Sequence, residues 1–496
     1  MENIIYNSTR SAKITATASQ AILQGLAPDG GLYVPGKIPA YTGSLEQLAQ
    51  QTYQETALEI MSLFLTDFRQ EELKHCIDSA YDSKFDIPEI TRLHEAGGAW
   101  YLELFHGATI AFKDMALSIL PHLMTTAAKK NHVTDEIVIL TATSGDTGKA
   151  AMAGFADVPG TKIIVFYPKG GVSVVQEKQM LTQRGANVHV VGIKGNFDDA
   201  QSAVKRIFSD DAMKERMAKG GMRFSSANSI NIGRLVPQIV YYFYAYGQMV
   251  KAGKVKAGDP VNFTVPTGNF GNILAAYYAK QMGLPCAKLI CASNENRVLV
   301  DFFREGRYDR RREFILTSSP SMDILISSNL ERLVYQAAEE DAEATRAYMQ
   351  QLSEDGSYEI TDLMRVGLKD FWSDYASEEQ TAQEIRRLYD QAGYVIDPHT
   401  AVASEVYRRY REETGDATKT VIDSTASPYK FLRSVVTAIQ PELTGMSDFE
   451  LIDELHRISG VEIPQAIEDI RTAPQLHSTV TEVADMPAEV LRWLGI

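Results

Sequence analysis

Short apolar runs that alternate with helical stretches dominate the chain from about residue 100 onward. The first of these runs are WYLELF, EIVILTA, KIIVFYP and NVHVVGI, and each is followed by residues with helical spacing. Such alternation predicts a parallel sheet covered by helices. A second series begins with VNFTVPTG and AKLICAS, after a long apolar segment at 235–253 that predicts a helix. The pattern therefore predicts two α/β domains.

The first 95 residues have a different pattern. LEQLAQQTYQETALEIMSLFL spaces its apolar residues three and four apart, and it follows the turn-rich GLAPDGGLYVPGKIP. We predict a mainly helical N-terminal domain over 1–95, a first α/β domain over 96–235 and a second one over 236–496. Within the second domain, KTVIDST predicts one more buried strand, and the residues that follow it predict helical packing.

Composition and charge narrow the class of partner. A chain of 496 residues is long enough for two to four domains with a sizeable core. It carries 49 basic and 64 acidic residues, a formal net charge of −15, and no long Lys/Arg run. This balance argues against a nucleic-acid or anionic-membrane surface, so we expect a small-molecule substrate. An anionic substrate would need a locally basic pocket.

The cysteines and the N-terminus indicate a cytoplasmic protein. Cys76, Cys286 and Cys291 form no CxxC pair and have no neighbouring His at metal-ligand spacing, so we expect neither disulfides nor a metal site. The first residues lack a charged start followed by an apolar core, and no apolar run reaches the length of a membrane span.

A lysine in an apolar setting is the first candidate for chemistry. FHGATIAFKDMA, residues 105–116, surrounds Lys113 with Ile110, Phe112 and Met115. Partial desolvation favours the neutral amine, which is a nucleophile. Such a lysine can form a Schiff base with an aldehyde, most often that of pyridoxal phosphate. On this stretch alone, a lysine whose amine reaches solvent at a helix start remains the simpler interpretation.

Two glycine-containing loops follow predicted strands and open helices. TATSGDTGKAA, residues 141–151, directs backbone N–H groups to a helix N-terminus, where an anion can bind. PTGNFGN, residues 266–272, repeats the arrangement. Each could be a simple strand-to-helix turn. Together they indicate that the carboxyl edges of two sheets meet at one cleft.

Two further segments carry polar side chains. SANSINIGR, residues 226–234, could supply a guanidinium fork and neutral donors to a phosphate, or could only cap the helix after it. DSTASPYKF, residues 423–431, places Ser424 and Thr425 at a strand end, where a capping turn is the alternative.

In this order, these motifs resemble the threonine synthase family, whose members are pyridoxal-phosphate enzymes of fold type II, like tryptophan synthase β. STR at 8–10, LQGLAPDGGLYVP at 23–35 and DPHTAVA at 397–403 also resemble that family. The likeness extends from residue 1 to about residue 431. It implies two α/β domains with parallel or mixed sheets, a cofactor cleft between them, and a mainly helical N-terminal domain.

The resemblance assigns roles residue by residue. It places the catalytic Schiff-base lysine at Lys113 and the hydroxyl that faces the pyridine nitrogen at Thr425. It places the loop that binds the cofactor phosphate at Gly268, Asn269, Phe270, Gly271 and Asn272. In the wider fold family the loop after the lysine binds the substrate carboxylate, which implies Thr143, Ser144, Gly145 and Thr147. Our hypothesis for the leaving-phosphate site is Asn228, Ser229, Asn231 and Arg234.

Some positions depart from the family pattern. Ala108 stands where the family usually has Pro, which loosens that turn, and Ser427 and Tyr429 replace residues of the usual HPAKF. Asp146 stands where many relatives have Asn, which affects the expected contact to the 3-oxygen of the cofactor. Asp114 is expected to favour the first turn of a helix through its dipole.

The activity that the resemblance implies is conversion of O-phospho-L-homoserine and water to L-threonine and phosphate. The alternatives are another type II dehydratase or β-replacement enzyme, and a catalytically silent relative that binds phosphorylated metabolites. We expect a monomer or a homodimer.

Overall fold

The computed structural model describes residues 3–143 and 145–496. We call residues 3–81 the N-terminal module; it combines a small antiparallel sheet with short helices. Its elements are β1 (Tyr6–Ser8), β2 (Ser11–Ala16), α1 (Ala18–Gln24), β3 (Tyr33–Pro35), α2 (Leu45–Leu48), α3 (Tyr53–Phe64) and α4 (Gln70–Ala80).

The next part of the chain alternates strands and helices up to the long helix α11. Its elements are β4 (Arg92–Ala96), β5 (Ala99–Glu103), α5 (Asp114–Leu117), α6 (Leu120–Lys130), β6 (Glu136–Ala142), α7 (Asp146–Phe155), β7 (Thr161–Pro168), α8 (Val174–Leu181), β8 (Val188–Lys194), α9 (Phe197–Ser209), α10 (Asp211–Lys219), β9 (Met222–Ser225) and α11 (Ile232–Lys251).

The remainder begins with a second strand series and ends in helices. Its elements are β10 (Val261–Pro266), α12 (Gly271–Gln281), β11 (Cys286–Ser293), α13 (Val298–Glu305), β12 (Arg307–Asp309), α14 (Leu330–Ala337), α15 (Ala342–Glu354), β13 (Ser357–Glu359), α16 (Asp362–Gly367), β14 (Phe371–Tyr375), α17 (Glu378–Ala392), α18 (Pro398–Thr414), β15 (Thr420–Ser424), α19 (Leu432–Ile439), α20 (Asp448–Ser459), α21 (Gln465–Thr472), β16 (Thr479–Glu482) and α22 (Met486–Leu494).

Two large sheets carry the loops of interest. In the described residues, one sheet has the strand order β16-β8-β7-β6-β9 and is parallel throughout. The other has the order β14-β11-β10-β15-β5-β4, with only β4 antiparallel to its neighbour. Interior strands such as β6 and β10 are buried apolar runs, as expected for parallel strands covered on both faces.

Helix α11 is the centre of the molecule. It is buried around almost its whole circumference, and its apolar and tyrosine side chains join one continuous core. Tyr53 and Phe64 on α3 belong to the same core, so the N-terminal module packs directly on the α/β part. No helix in residues 3–143 and 145–496 combines the length and apolar character that a membrane crossing requires.

Strand pairing differs from the division predicted at residue 96. Strand β5 pairs with β15, with Trp100 opposite Val421, so it belongs to the sheet of the second half of the chain. Strand β16 returns to the first sheet beside β8. The N-terminal module is mainly helical, as predicted, and it also contains the three-stranded sheet β2-β1-β3. Hydrophobic periodicity identifies strands, but distant pairing decides which sheet each one joins.

Candidate active site

The loop after β5 brings Lys113 against the end of β15. The backbone N–H of Phe112 donates to the carbonyl of Thr425 at 2.8 Å, and Ser427 donates to the carbonyl of Ile110 at 3.0 Å. Ile110 has a left-handed backbone with φ 53°, which is costly for a β-branched residue. These links place the two segments that the sequence assigned to the lysine and to the pyridine nitrogen side by side.

Asp114 organises this loop. Its buried carboxylate accepts from the backbone N–H and from the hydroxyl of Thr109, at 2.8 and 2.6 Å. A Cβ at Gly107 would lie 2.5 Å from the Cβ of Asp114, so only glycine fits there. Asp114 also begins α5, as its expected preference for a first helical turn requires.

The amine of Lys113 is almost completely shielded from solvent. The residue is 8% exposed, and its Nζ donates to the Oγ of Ser321 at 2.9 Å. Burial lowers the pKa of Lys113; the carboxylate of Asp146 opposes this shift, whereas the charges of Lys430 and Arg234 add to it. Lys113 therefore loses its proton and becomes the neutral, nucleophilic amine more readily than an exposed lysine does.

Asp146 lies at the first position of α7 and faces two lysines. Its Oδ2 is 3.6 Å from Lys113 Nζ, and its Oδ1 is 3.4 Å from Lys430 Nζ. Gln176 and Ser321 donate to it at 2.9 and 3.0 Å. Burial alone would raise the pKa of Asp146, but the two ammonium groups outweigh it and hold the pKa well below its usual range. The carboxylate is ionised and balances the lysines.

The loop between β6 and α7 is held by its own side chains. The hydroxyl of Thr143 accepts from the backbone N–H groups of Gly145 and Gly148, each at 2.9 Å. Gly145 has φ 134°, and a Cβ there would lie 2.6 Å from Gln176. Thr147 is partly exposed, whereas Ser144 lies outside the described residues. Thr143 thus stabilises the turn from β6 into α7 through its hydroxyl.

The loop after β10 forms an open cradle at the N-terminus of α12. Phe270 is buried and left-handed, with φ 65°, and it turns the chain into the helix that begins at Gly271. A Cβ built on Gly271 has no atom closer than 3.6 Å. Asn272 folds back to the carbonyl of Pro266 at 2.9 Å. The first N–H groups of a helix lack intrahelical acceptors, so this space suits an anion.

In the segment 226–234, some polar side chains bind the backbone and others remain available to a ligand. Asn231 caps α11 through the N–H of Gly233 and donates to the carbonyl of Ile22, at 2.8 and 2.9 Å, so its amide is engaged with backbone. Asn228 is exposed and Ser229 partly buried. Arg234 is 4% exposed; one Nη donates to the carbonyl of Ala227 at 3.1 Å, while its Nε has no partner within the described residues.

Arg234 is the main basic residue of this region besides the lysines, and its one hydrogen bond within the described residues is to a neutral carbonyl. Burial lowers its pKa to about 10, which still leaves the guanidinium charged at neutral pH. A buried cation without a carboxylate is costly unless a ligand neutralises it. The pocket is therefore suited to an anionic ligand, in a chain whose net charge is −15.

Several residues at the site received no role in the sequence-based prediction. Ser321 and Lys430 contact Asp146, and the ring of His399 fixes Ser321 by accepting its backbone N–H at 3.2 Å on Nε2. His399 Nδ1 lies 2.7 Å from the carboxylate of Asp397, so that nitrogen carries the proton. DPHTAVA and SPYKF contain three of these residues as motif letters, whereas Ser321 lies in a short 3-10 helix, Pro320–Met322, in a segment without hydrophobic periodicity.

The arrangement fits pyridoxal phosphate. The shielded amine of Lys113 suits the aldehyde of that cofactor, and the helix N-terminus with open space beside Gly271 suits its phosphate. Thr425 lies beside the lysine loop, where it suits the ring. The carbonyl of Ser321 would lie 2.4 Å from a Cβ on Gly268, so the segment around Ser321 joins the cradle to the lysine.

Comparison with known families agrees with this geometry. The models described as threonine synthase N terminus, pyridoxal-phosphate dependent enzyme, and threonine synthase C-terminal match residues 5–81, 85–425 and 400–485. The chain belongs to the threonine synthase family of pyridoxal-phosphate-dependent enzymes. The predicted family, fold type and cofactor are confirmed.

Individual relatives extend the match to nearly the whole chain. Threonine synthase of Schizosaccharomyces pombe is 38% identical over 468 residues, 88% of this chain and 89% of that protein. Threonine synthase-like 1 of Macaca fascicularis is 38% identical over 477 residues, 94% of this chain but only 62% of that longer protein. The structure of PLP-bound threonine synthase from Brucella melitensis has a TM-score of 0.86 and 34% identity, and covers 99% of this chain and 98% of that one.

Proposed function

We propose that this chain converts O-phospho-L-homoserine and water to L-threonine and phosphate. The observation that carries the proposal is that the shielded amine of Lys113 lies close enough to the buried guanidinium of Arg234, whose Nε has no partner within the described residues, for that charge to add to burial in lowering the pKa of the amine. The first suits covalent attachment of an aldehyde cofactor, and the second suits a phosphorylated substrate. Membership of the threonine synthase family supports the same reaction.

The cofactor-binding residues are Lys113, the cradle 268–272 and Thr425. When bound, pyridoxal phosphate withdraws electrons from the substrate amino acid and so makes the protons next to it easier to remove. The N-terminus of α12 would hold the phosphate of the cofactor, and Thr425 would offer its hydroxyl to the pyridine nitrogen. A neutral hydroxyl does not hold that nitrogen protonated, which moderates the electron withdrawal.

Lys113 performs the proton transfers. In the holoenzyme its free amine would take the proton from Cα of the substrate and would transfer protons at Cβ and Cγ. Asp146 and Ser321 keep this amine in place through the contacts at 3.6 and 2.9 Å. Water then adds at Cβ, after the γ-phosphate has left.

Arg234 binds the phosphate that leaves. Asn228 and Ser229, on the loop before α11, complete our proposed phosphate site, whereas the amide of Asn231, which binds backbone groups, fixes that loop.

The substrate carboxylate is assigned to the loop of Thr143, Ser144, Gly145 and Thr147, where the Thr143 hydroxyl holds the turn into α7. The three cysteines are free and buried, in keeping with the reducing cytoplasm in which we place the protein.

Two assays test the proposed activity. The purified protein, loaded with pyridoxal phosphate, is given O-phospho-L-homoserine and, separately, L-serine or L-threonine. The proposal requires threonine and inorganic phosphate in equal amounts from the first substrate. Faster keto-acid release from serine or threonine would identify a dehydratase. Absence of turnover with all substrates, despite bound cofactor, would identify a silent relative.

A further inference from the structure

One buried arginine connects the N-terminal module to the segment 226–234 and, through Asn329, to the cradle 268–272; these two segments are called the anion loops below. Arg332, near the start of α14, is 0% exposed. Its Nε donates to the carbonyl of Tyr33 on β3 at 2.9 Å, and its Nη2 donates to the carbonyl of Ile230 at 2.6 Å. Its other Nη donates to the side-chain oxygen of Asn329. All of these acceptors are neutral, and no salt bridge to Arg332 is found within residues 3–143 and 145–496.

Asn329 carries the connection to the cofactor cradle. Its backbone N–H and side-chain amide both donate to the carbonyl of Asn269, at 3.1 and 2.9 Å. The same amide lies 3.3 Å from the carbonyl of Ser229. Since Arg332 fixes the oxygen of this amide, the nitrogen must point at the two loops. The orientation of one side chain therefore depends on the guanidinium.

The N-terminal module also holds the other end of the segment 226–234. Asn231 donates to the carbonyl of Ile22 at 2.9 Å, and Ser225, just before the segment, donates to the carbonyl of Leu23 at 3.2 Å. The segment that leads to Arg234 is thus held between α1 on one side and Arg332, itself fixed to β3, on the other.

We propose that Arg332 is a positioning residue that uses the N-terminal module as a rigid support to set the segment 226–234 and the cradle 268–272 relative to one another. The cradle 268–272 would hold the phosphate of the cofactor while the segment 226–234 holds the phosphate of the substrate. A shift of one loop against the other would therefore place the reacting atoms incorrectly. Misplacement by about 1 Å can reduce a rate 100-fold. The inference rests on the proposed function only in naming the phosphate that Arg234 receives.

The neighbouring Glu331 provides a matched control. It accepts from Thr9 at 2.6 Å and from the guanidinium of Arg10 at 2.8 and 2.7 Å, all in the N-terminal module. It therefore attaches the same module to the same helix. None of these contacts reaches either anion loop, so a Glu331→Gln variant reports the loss of attachment alone.

The test compares R332K with E331Q. A lysine keeps the charge but loses the planar fork that reaches three acceptors. Both variants should lower the melting temperature. Only R332K should weaken the binding of pyridoxal phosphate, which is followed by cofactor absorbance during dialysis. It should also weaken the binding of inorganic phosphate, which is measured as product inhibition, and each effect should be about tenfold or more. KM for O-phosphohomoserine should rise with them. If R332K does not fold, N329S removes the side-chain bonds to the carbonyls of Asn269 and Ser229, although the backbone bond to Asn269 remains, and it should weaken cofactor binding.

Equal loss of melting temperature in R332K and E331Q, with unchanged cofactor dissociation and phosphate inhibition, would overturn the positioning role. Cofactor dissociation does not depend on which reaction is catalysed. A wild-type protein that makes no threonine would therefore contradict the proposed function, and would leave the cofactor comparison as a valid test of Arg332.

Discussion

The amine of Lys113 lies 3.6 Å from the carboxylate of Asp146, and the hydroxyl of Ser321 joins the two by accepting from the amine and donating to the carboxylate. The carboxylate is shared with Lys430, at 3.4 Å. One buried negative charge thus lies between two buried ammonium groups. This balance determines how readily Lys113 releases its proton.

We predict that D146N lowers the pKa of the Lys113 amine further, because it removes the charge that raises this pKa. The neutral amine then persists to lower pH. The pH midpoint for covalent attachment of pyridoxal phosphate to the apoprotein, followed by absorbance, should move downward. S321A keeps the carboxylate charge and should move the midpoint less. An upward shift in D146N would contradict this electrostatic account.

Arg234 should discriminate between leaving groups. R234A should lose about 2–5 kcal/mol of transition-state binding for O-phosphohomoserine, and much less for O-acetylhomoserine, whose leaving group has a smaller charge. R234K should recover only part of kcat/KM, because lysine lacks the bidentate fork. If Arg234 serves only to hold the carbonyl of Ala227, both substrates will lose equally and the melting temperature will fall.

The cradle should distinguish a cofactor defect from a folding defect. G271A adds a Cβ into space with no atom closer than 3.6 Å, so the apoprotein should keep its melting temperature while cofactor binding weakens. G268A would bring a Cβ to 2.4 Å from the carbonyl of Ser321, so it should destabilise the apoprotein as well. Unchanged cofactor affinity in G271A would place the phosphate elsewhere.

Asp423 should give the protein a measurable pH dependence of stability. Its Oδ2 lies 2.7 Å from the hydroxyl of Tyr242, which also lies 2.9 Å from the carbonyl of Asn272. One hydroxyl proton cannot serve both acceptors fully, so a protonated Asp423 satisfies the group. Burial raises the pKa of Asp423 to about 7, although the Tyr242 hydrogen bond opposes the shift.

The direction of this pH dependence follows from comparison with the unfolded chain, where an aspartate has a pKa of about 3.9. Between this value and 7 the folded state binds more protons, so the free energy of unfolding falls as pH rises. D423N should remove this part of the slope in melting temperature between pH 4 and 7. D362N, whose side chain is fully exposed, is the control. An identical slope in wild type and D423N would show that Asp423 is not protonated.

The sequence predicted the candidate site residues that lie in motifs resembling the threonine synthase family. Lys113, the cradle 268–272 and Thr425 come after β5, β10 and β15, and the carboxyl ends of parallel strands meet in space. No pattern in the sequence predicted Ser321 or Asn329, because Ser321 lies in a short 3-10 helix, Pro320–Met322, and Asn329 lies in the turn before α14. Arg332 was equally hidden, since an arginine in a charge-rich segment normally faces solvent. Their roles arise from distant packing, which local spacing does not encode.

Lys113 tests the central claim most directly. Wild-type protein loaded with pyridoxal phosphate should form L-threonine and inorganic phosphate in equal amounts from O-phospho-L-homoserine, and borohydride should fix the cofactor on Lys113, as shown by peptide mass spectrometry. K113A should lose several orders of magnitude in rate together with this covalent label, because nucleophile and base are removed at once. Turnover near the wild-type rate in K113A, or the label on another lysine, would contradict the account.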